Sequence, residues 1–310
     1  MRGALIAAAL VFAPSLLPLP SRQDSRPLDA DRVLAEARAA LGGPALLDAV
    51  KTFTASGSST LEMTRLSVSQ SIEMSCELPD RFLTVSRRTM GMGPGDWVSV
   101  TTYTGFNAGA AISATIAPGA RMPISIPAGP EPRTPAEIAA ANERRLALVR
   151  RTFVATVLPL FAASPAAVPL VLSYGGRVAL GQGGADVIIA TAADGFTWKL
   201  LIDPVTHLPA RITWMNAPIV TFSTTSSVTA DSRGNVVSAS PPAALPKGDP
   251  AAGLTPVEWA TTLGDYRRVD GLMWPHKLTT TVGGRKHEDR RVGKYKINPA
   301  IKPKTFDPRK

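Results

Sequence analysis

The stretch from Trp259 to Ile297 leaves the chain little conformational freedom. Trp259–Val269, Leu272–Val282 and Lys286–Ile297 are three runs of strand length. Asp270-Gly271 separates the first two and Gly283-Gly284, with Arg285, the last two, and both pairs suit tight hairpin turns. A parallel crossover needs a dozen or more residues, so runs joined this closely must pair antiparallel. The same grammar operates upstream. Val187–Thr191 and Phe196–Asp203 flank Asp194-Gly195, and Phe196, Trp198, Leu200 and Ile202 share one apolar face. Ala210–Met215 and Ile219–Thr229 continue the pattern, with a turn at 231–235. Nearer the N-terminus, Ile72, Met74, Cys76 and Leu78 alternate with Ser71, Glu73, Ser75 and Glu77, which is the period of a half-buried strand. Pro79-Asp80 turns the chain into Arg81–Arg88, and Trp97–Thr104 is a further strand.

Helical signals are few and local. Asp29 caps a helix with Val33, Leu34, Ala37 and Leu41 on one stripe. Gly42-Gly43 ends it, and Pro44 opens a short second helix with Leu46, Leu47 and Val50 as its apolar face. Thr134-Pro135-Ala136-Glu137 is a capping box with proline at the first helical position. It predicts a helix to about Leu158, with Leu146, Val149, Phe153 and Val157 inward and Arg144, Arg145, Arg150 and Arg151 facing water or a partner. Phe153–Leu172 carries no charge, but Pro159, Pro165 and Pro169 argue against a membrane span. It reads as a helix end, a turn and a strand start. Helices early and mid-chain, with sequential strands between them, predict an α+β fold with an antiparallel sheet.

Residues 1–23 have the layout of a secretory signal peptide: Arg2, then an apolar run from Ala4 to Leu17, too short to span a bilayer as a helix. Residues 24–310 are expected to form one domain with Pro-rich insertions near 114–135 and 239–253. A single cysteine excludes an internal disulfide. These features predict an exported protein, periplasmic or associated with the outer membrane. Residues 265–310 hold thirteen Lys and Arg against five Asp and Glu. The expectation has two forms: attraction to an anionic membrane surface, with Arg267, Arg268, Arg285, Lys286, Arg290 and Arg291 as candidates, or a solvated strand face that guards a sheet edge. Nucleic acid is a poor partner for an exported chain.

Catalytic patterns are missing from the sequence. There is no G-x-S-x-G elbow and no Walker-type loop. Gly181-Gln182-Gly183-Gly184 precedes a strand and reads as a turn. His207, His276 and His287 stand at no zinc-ligand spacing, and the cations around His287-Glu288-Asp289 repel a metal. His276 is expected to be structural and Cys76 to be an inert buried thiol. No cofactor, metal or catalytic residue is assigned. The large apolar residues Trp97, Phe106, Trp198, Trp214, Met215, Leu272 and Trp274 are candidates to line a ligand cavity, or are ordinary core.

Several segments also resemble one family. Leu200–Ile212 (LLIDPVTHLPARI), Asp265–Leu278 (DYRRVDGLMWPHKL), Val292–Pro299 (VGKYKINP) and Ala37–Gly43 (ARAALGG) are similar to segments of the outer-membrane lipoprotein carrier and sorting superfamily. The resemblance covers most of the mature chain, through fold signatures and not a catalytic motif. It implies a strongly curved antiparallel sheet, an incomplete β-barrel, with helices covering the concave face. It also implies a non-enzymatic envelope protein that binds the acyl chains of a lipid or lipoprotein. This chain is longer than the compact carriers, and their ligand-coupled arginine has no clear counterpart in it. Two other readings stay open: an envelope sensor or interaction module with a filled interior, and a hydrolase with His276, Asp265 and a serine converging in one cleft.

Overall fold

A computed structural model describes residues 29–63, 66–93, 96–117, 134–219, 228–230, 236–239 and 254–307. Three helices are present among them: α1 (Ala30–Ala40), α2 (Pro44–Asp48) and α3 (Pro135–Phe161). Twelve strands form the main sheet: β1 (Thr52–Met63), β2 (Leu66–Glu77), β3 (Arg81–Gly93), β4 (Asp96–Asn107), β5 (Ala110–Ile116), β6 (Leu170–Leu180), β7 (Gly183–Ala192), β8 (Thr197–Ile202), β9 (Pro209–Asn216), β12 (Val257–Val269), β13 (Leu272–Val282) and β14 (Arg285–Ile297). Between β9 and β12, β10 (Val228–Ala230) and β11 (Val236–Ala239) pair separately.

The sheet is antiparallel and open. Its order is β5-β4-β3-β2-β1-β14-β13-β12-β9-β8-β7-β6, so β5 and β6 are its two ends. The central join, β1 against β14, brings the two ends of the described chain together, from Phe53 opposite Ile297 to Leu61 opposite Glu288. Asn298 closes the seam: its Oδ1 accepts from Lys51 N at 2.7 Å, and its Nδ2 donates to Ala49 O at 3.1 Å.

Local chemistry sets the helix ends as the sequence predicts. Asp29 Oδ1 accepts from Arg32 N at 2.8 Å. Thr134 and Glu137 form the reciprocal capping box, with Glu137 N donating to Thr134 Oγ1 at 3.2 Å and Thr134 N donating to Glu137 Oε2 at 2.9 Å. α3 runs three residues past the expected end and contains Pro159. Proline forfeits one bond of the helical ladder, and here it does so in the last turn, where Leu158 O is taken by Ala162 N at 2.8 Å. Leu146, Val149, Phe153 and Val157 are buried as expected, whereas Leu46 of α2 is exposed.

Two strands depart from the sequence expectation. β1 was not predicted at all, and the expected loop from residue 114 begins inside β5. Residues 1–28, 118–133, 220–227, 231–235 and 240–253 lie outside the described residues, as do the expectations of a signal peptide, the Pro-rich loops, most of Ile219–Thr229 and the 231–235 turn. No helix among the described residues is long and apolar enough to cross a membrane.

Candidate functional site

Strand register sorts the side chains beneath α3 into rows. The first row crosses six strands as Ile297, Phe53, Cys76, Phe82, Phe106 and Ala111. Against it α3 seats Phe153, whose ring lies 5.4 Å from Phe82 and 5.2 Å from Phe106, both edge-on. Two helical turns on, Phe161 meets Phe53 at 6.1 Å and Trp274 at 6.0 Å. These rings join one continuous apolar core with α1, α2 and both halves of the sheet.

The next row mixes sizes, Tyr295 and Met74 with the small Ala55 and Thr84. They do not fill the space under Thr156 and Leu160 of α3. The result is a cavity of about 20 Å³, bounded also by Ile72, Leu278, Arg290 and Val292. Two rows further out, beyond Val292, Gly57 and Ile72, the face turns polar. Gln70 donates to Ser59 Oγ at 2.9 Å, and Arg290 Nη2 reaches both oxygens of Glu288, at 3.1 and 3.0 Å. The seam therefore grades from aromatic floor to small-residue gap to ion-paired rim. A gap of this size holds about one water, well below the 300–1,000 Å³ of typical ligand pockets.

Polar links hold α3 only lightly. Among the described residues they are Arg38 Nη1 donating to Phe161 O at 3.0 Å, and Arg151 paired with Asp194 at 3.1 Å. The Arg151 guanidinium also stacks 4.0 Å above the Phe196 ring. Apolar contact does the rest.

The sequence-selected residues fall in several places. Phe106, Trp198, Leu272 and Trp274 lie in the core around α3. Trp198, Trp214 and Trp259 are directly opposed across β8, β9 and β12, and the last two stack at 6.1 Å. Trp259, which sequence reasoning did not single out, donates from Nε1 to Ala217 O at 3.0 Å. Met215 is 54% exposed. Trp97 belongs to β4, but its side chain is outside the described residues. None of the other six lines the cavity. The six basic candidates differ in their partners. Arg267 pairs with Asp265, Lys286 with Asp289 and Arg290 with Glu288, while Arg268 Nη1 donates to Gly271 O. Arg285 and Arg291 are exposed.

The arrangement of His276, Asp265 and a serine in one cleft does not form among the described residues. His276 is buried with Nδ1 2.7 Å from Val292 O, and Asp265 grips Arg267 through both oxygens, at 3.0 and 2.7 Å. Neither makes a hydrogen bond to a serine among the described residues. Burial, and then the charge of Glu77, push the Cys76 thiol far above its ordinary range, which disfavours the reactive thiolate. Burial likewise raises the Tyr266 and Tyr295 phenols. No cluster of three His, Cys, Asp or Glu suited to a metal occurs among the described residues. A wider cleft, about 400 Å³, runs between β5 and α3, but Asn142, Glu143 and Arg145 leave it open and polar.

No family model and no curated protein matches the chain. Solved structures do. An outer-membrane lipoprotein-sorting protein domain from Vibrio parahaemolyticus aligns over 90% of this chain and 97% of its own, at 9% identity and a TM-score of 0.42. A LolA superfamily protein from Nitrosomonas europaea aligns over 90% and 98%, at 9% identity and 0.43. A DUF1329 family protein from Desulfovibrio piger aligns over 89% and 96%, at 7% identity and 0.40. The chain is thus similar to LolA superfamily and lipoprotein-sorting structures at low identity, the group its sequence segments resemble.

Proposed function

We propose that this chain is a non-enzymatic, exported protein of the bacterial envelope, with residues 24–310 forming one domain that takes an apolar or acylated ligand into the seam between α3 and the sheet. The observation that carries the reading is the seating of α3. The helix touches β4 and β5 towards one end of the sheet and β8 and β9 towards the other. β5 and β8 are nine places apart in the strand order. In a flat sheet that separation is roughly 43 Å at about 4.8 Å per strand, which the length of α3 could cover, but Phe153 meets Phe106 of β4 while Arg151, two residues earlier on a helix about 10–12 Å across, pairs with Asp194 and stacks on Phe196 beside β8, eight places from β4. The sheet bends round α3, and α3 is a plug in the concave face.

Part of the plug is exchangeable on energetic grounds. Withdrawing all of α3 exposes Leu146, Val149, Phe153, Val154, Val157, Leu158, Leu160 and Phe161, at about 1.5–3 kcal/mol each. A sixteen-carbon acyl chain buried in their place returns roughly 11 kcal/mol, at about 0.8 kcal/mol per methylene. That return offsets the exposure of about half of these side chains, so an acyl ligand displaces part of the helix and not the whole of it. The small-residue gap beside Thr156 and Leu160 is where the exchange begins.

Delipidated protein titrated with palmitate tests this, read by tryptophan fluorescence and native mass spectrometry. The expected outcome is a one-to-one adduct with faster amide exchange in α3. Thr156→Trp, which fills the gap, is expected to weaken uptake. Absence of an adduct overturns the reading and leaves the filled-core interaction module. The size of the gap, about 20 Å³, is the observation that favours that second reading.

A further inference from the structure

The outward face of β13 and β14 carries a charge arrangement that the sheet itself does not neutralise. Lys277 stands directly opposite Arg291 in the register of these two strands, and both are exposed. Like charges in directly opposed positions destabilise a strand pair. Neither forms an ion pair or side-chain hydrogen bond with a described residue. Asp265 is a carboxylate that feels the Arg291 charge. The bidentate Arg267 guanidinium, chiefly, holds its carboxyl below the usual range, with smaller contributions from His276 and Arg291. Along the same face of β14 follow Lys294, opposite Ser56, and Lys296, opposite Thr54. They too are exposed and unpaired among the described residues.

The surroundings suit a flat partner. Arg291 is followed across the sheet by Ser58 and Ser71, so this row beside the cations consists of short hydroxyl side chains. The other cations nearby are already engaged: Arg267 with Asp265, Lys286 with Asp289, and Arg87 with Glu73. Arg290 turns inward to Glu288. That leaves four free charges spread over about 16 Å of strand, at about 3.3 Å per residue. They converge on no point and border no cavity, which is wrong for one small anion and right for a plane of phosphates.

We propose that this face, centred on Lys277, Arg291, Lys294 and Lys296, docks the protein on an anionic phospholipid bilayer. The inference extends the envelope reading above but stands on the opposite face of the sheet. The test is co-sedimentation of the purified chain with phosphatidylcholine vesicles, with and without phosphatidylglycerol. Binding is expected only to the anionic vesicles, and it weakens as salt rises. K277S/R291S should lower vesicle partitioning on the order of thirtyfold, since each basic residue near an anionic surface contributes about a factor of five. Lys286→Ser, whose charge is already paired, should change it less than about threefold. Should K277S/R291S fold poorly, K294S/K296S carries the same expectation. Equal binding to both vesicle types, undiminished binding by the folded double variants, or binding to a soluble polyanion but not to vesicles, would each overturn the proposal. Palmitate uptake is measured separately on the same proteins. If vesicle docking fails while uptake persists, only this inference falls; if uptake alone fails, the seam reading falls.

Discussion

Replacing Phe153 with alanine tests whether α3 is seated as described. Phe153 is fully buried and has two edge-on aromatic partners, Phe82 at 5.4 Å and Phe106 at 5.2 Å. Truncating a core phenylalanine to alanine typically destabilises by about 3–5 kcal/mol, and the well-contacted geometry places this site near 4. In a chain of this size that lowers Tm by roughly 8–16 °C, at about 2–4 °C per kcal/mol. Phe153→Leu, which keeps most of the apolar volume, should lose less than about 1.5 kcal/mol. Urea unfolding followed by far-ultraviolet circular dichroism and tryptophan fluorescence supplies the values. A double-mutant cycle with Phe106→Leu should return a coupling of about 0.5–1.5 kcal/mol, because the rings touch. A loss below about 1 kcal/mol for Phe153→Ala, together with zero coupling, would mean that α3 does not rest on β3 and β4, and the seam would not exist.

Three other expectations concern different parts of the sheet. Gly57 has no room for a side chain: an added Cβ would lie 2.0 Å from Arg291 O, so Gly57→Ala should push β1 from β14 and destabilise by more than about 4 kcal/mol, read from Tm and soluble yield. Asp186 is buried and accepts from Tyr174 Oη, Arg177 Nε and Arg177 Nη2 at 3.0–3.1 Å; Asp186→Ala should lose about 2–3 kcal/mol in urea melts, with Asp186→Asn intermediate. Asp203 Oδ1 accepts from Thr206 N and Val205 N, both at 2.8 Å, and these bonds hold its carboxyl below the usual range. Its folded-state pKa is below the unfolded value, so its stabilisation is present above about pH 4 and fades as pH falls through the folded value. The Tm gap between the parent and Asp203→Ala should accordingly narrow on acidification, and a gap constant to pH 2.5 would contradict this assignment.

What could be read from the sequence follows from how each element is stabilised. β8, β12, β13 and β14 were legible because apolar alternation and two-residue turns are local signals. α3 was legible from its capping box. β1 was not: in Thr52–Met63 only Phe53, Leu61 and Met63 are large and apolar, and the inward positions Ala55, Gly57 and Ser59 are small. Gly57 is small because β14 crowds it, and that pairing spans more than two hundred residues. β5, with its alanines and serine, is equally quiet. The cavity was invisible for the same reason. Ile72 and Met74 read as one face of an ordinary strand and Ala55 carried no signal, and a gap arises only when the register sets Ala55 and Thr84 opposite Thr156 and Leu160. The sequence directed attention to large aromatics, which fill the interior, whereas the space lies beside Ala55 and Thr84, with Tyr295 at its edge.

β14 shows how a single strand serves both faces, and why one residue in it matters more than its size suggests. Up to Val292 the inward positions are Glu288, Arg290 and Val292, and the outward ones are Asp289 and Arg291. After it, Tyr295 and Ile297 point inward, and Lys294 and Lys296 outward. Strict alternation would reverse that second set. The register shift between Ser56 and Gly57 leaves Gly293 as the extra residue of a bulge, and the bulge resets the parity. The bulge matters because straightening it with Gly293 in place would slip every later residue by one, driving two lysines under α3, against Phe53 and Ala55, and turning Tyr295 and Ile297 to water. Burying two unpaired ammonium groups is far costlier than any gap, so the bulge is held. Deleting Gly293 removes the extra residue and leaves Val292 followed directly by Lys294 opposite Ser56, so the later facings stay as they are. The deletion variant should therefore fold, as should Gly293→Ala, whose added Cβ would come no closer than 3.7 Å to Ser56 O. A deletion variant that fails to fold, or in which Tyr295 becomes exposed in fluorescence and exchange, would show that the β1–β14 register is not the one described, and with it both the seam and the basic face would lose their basis.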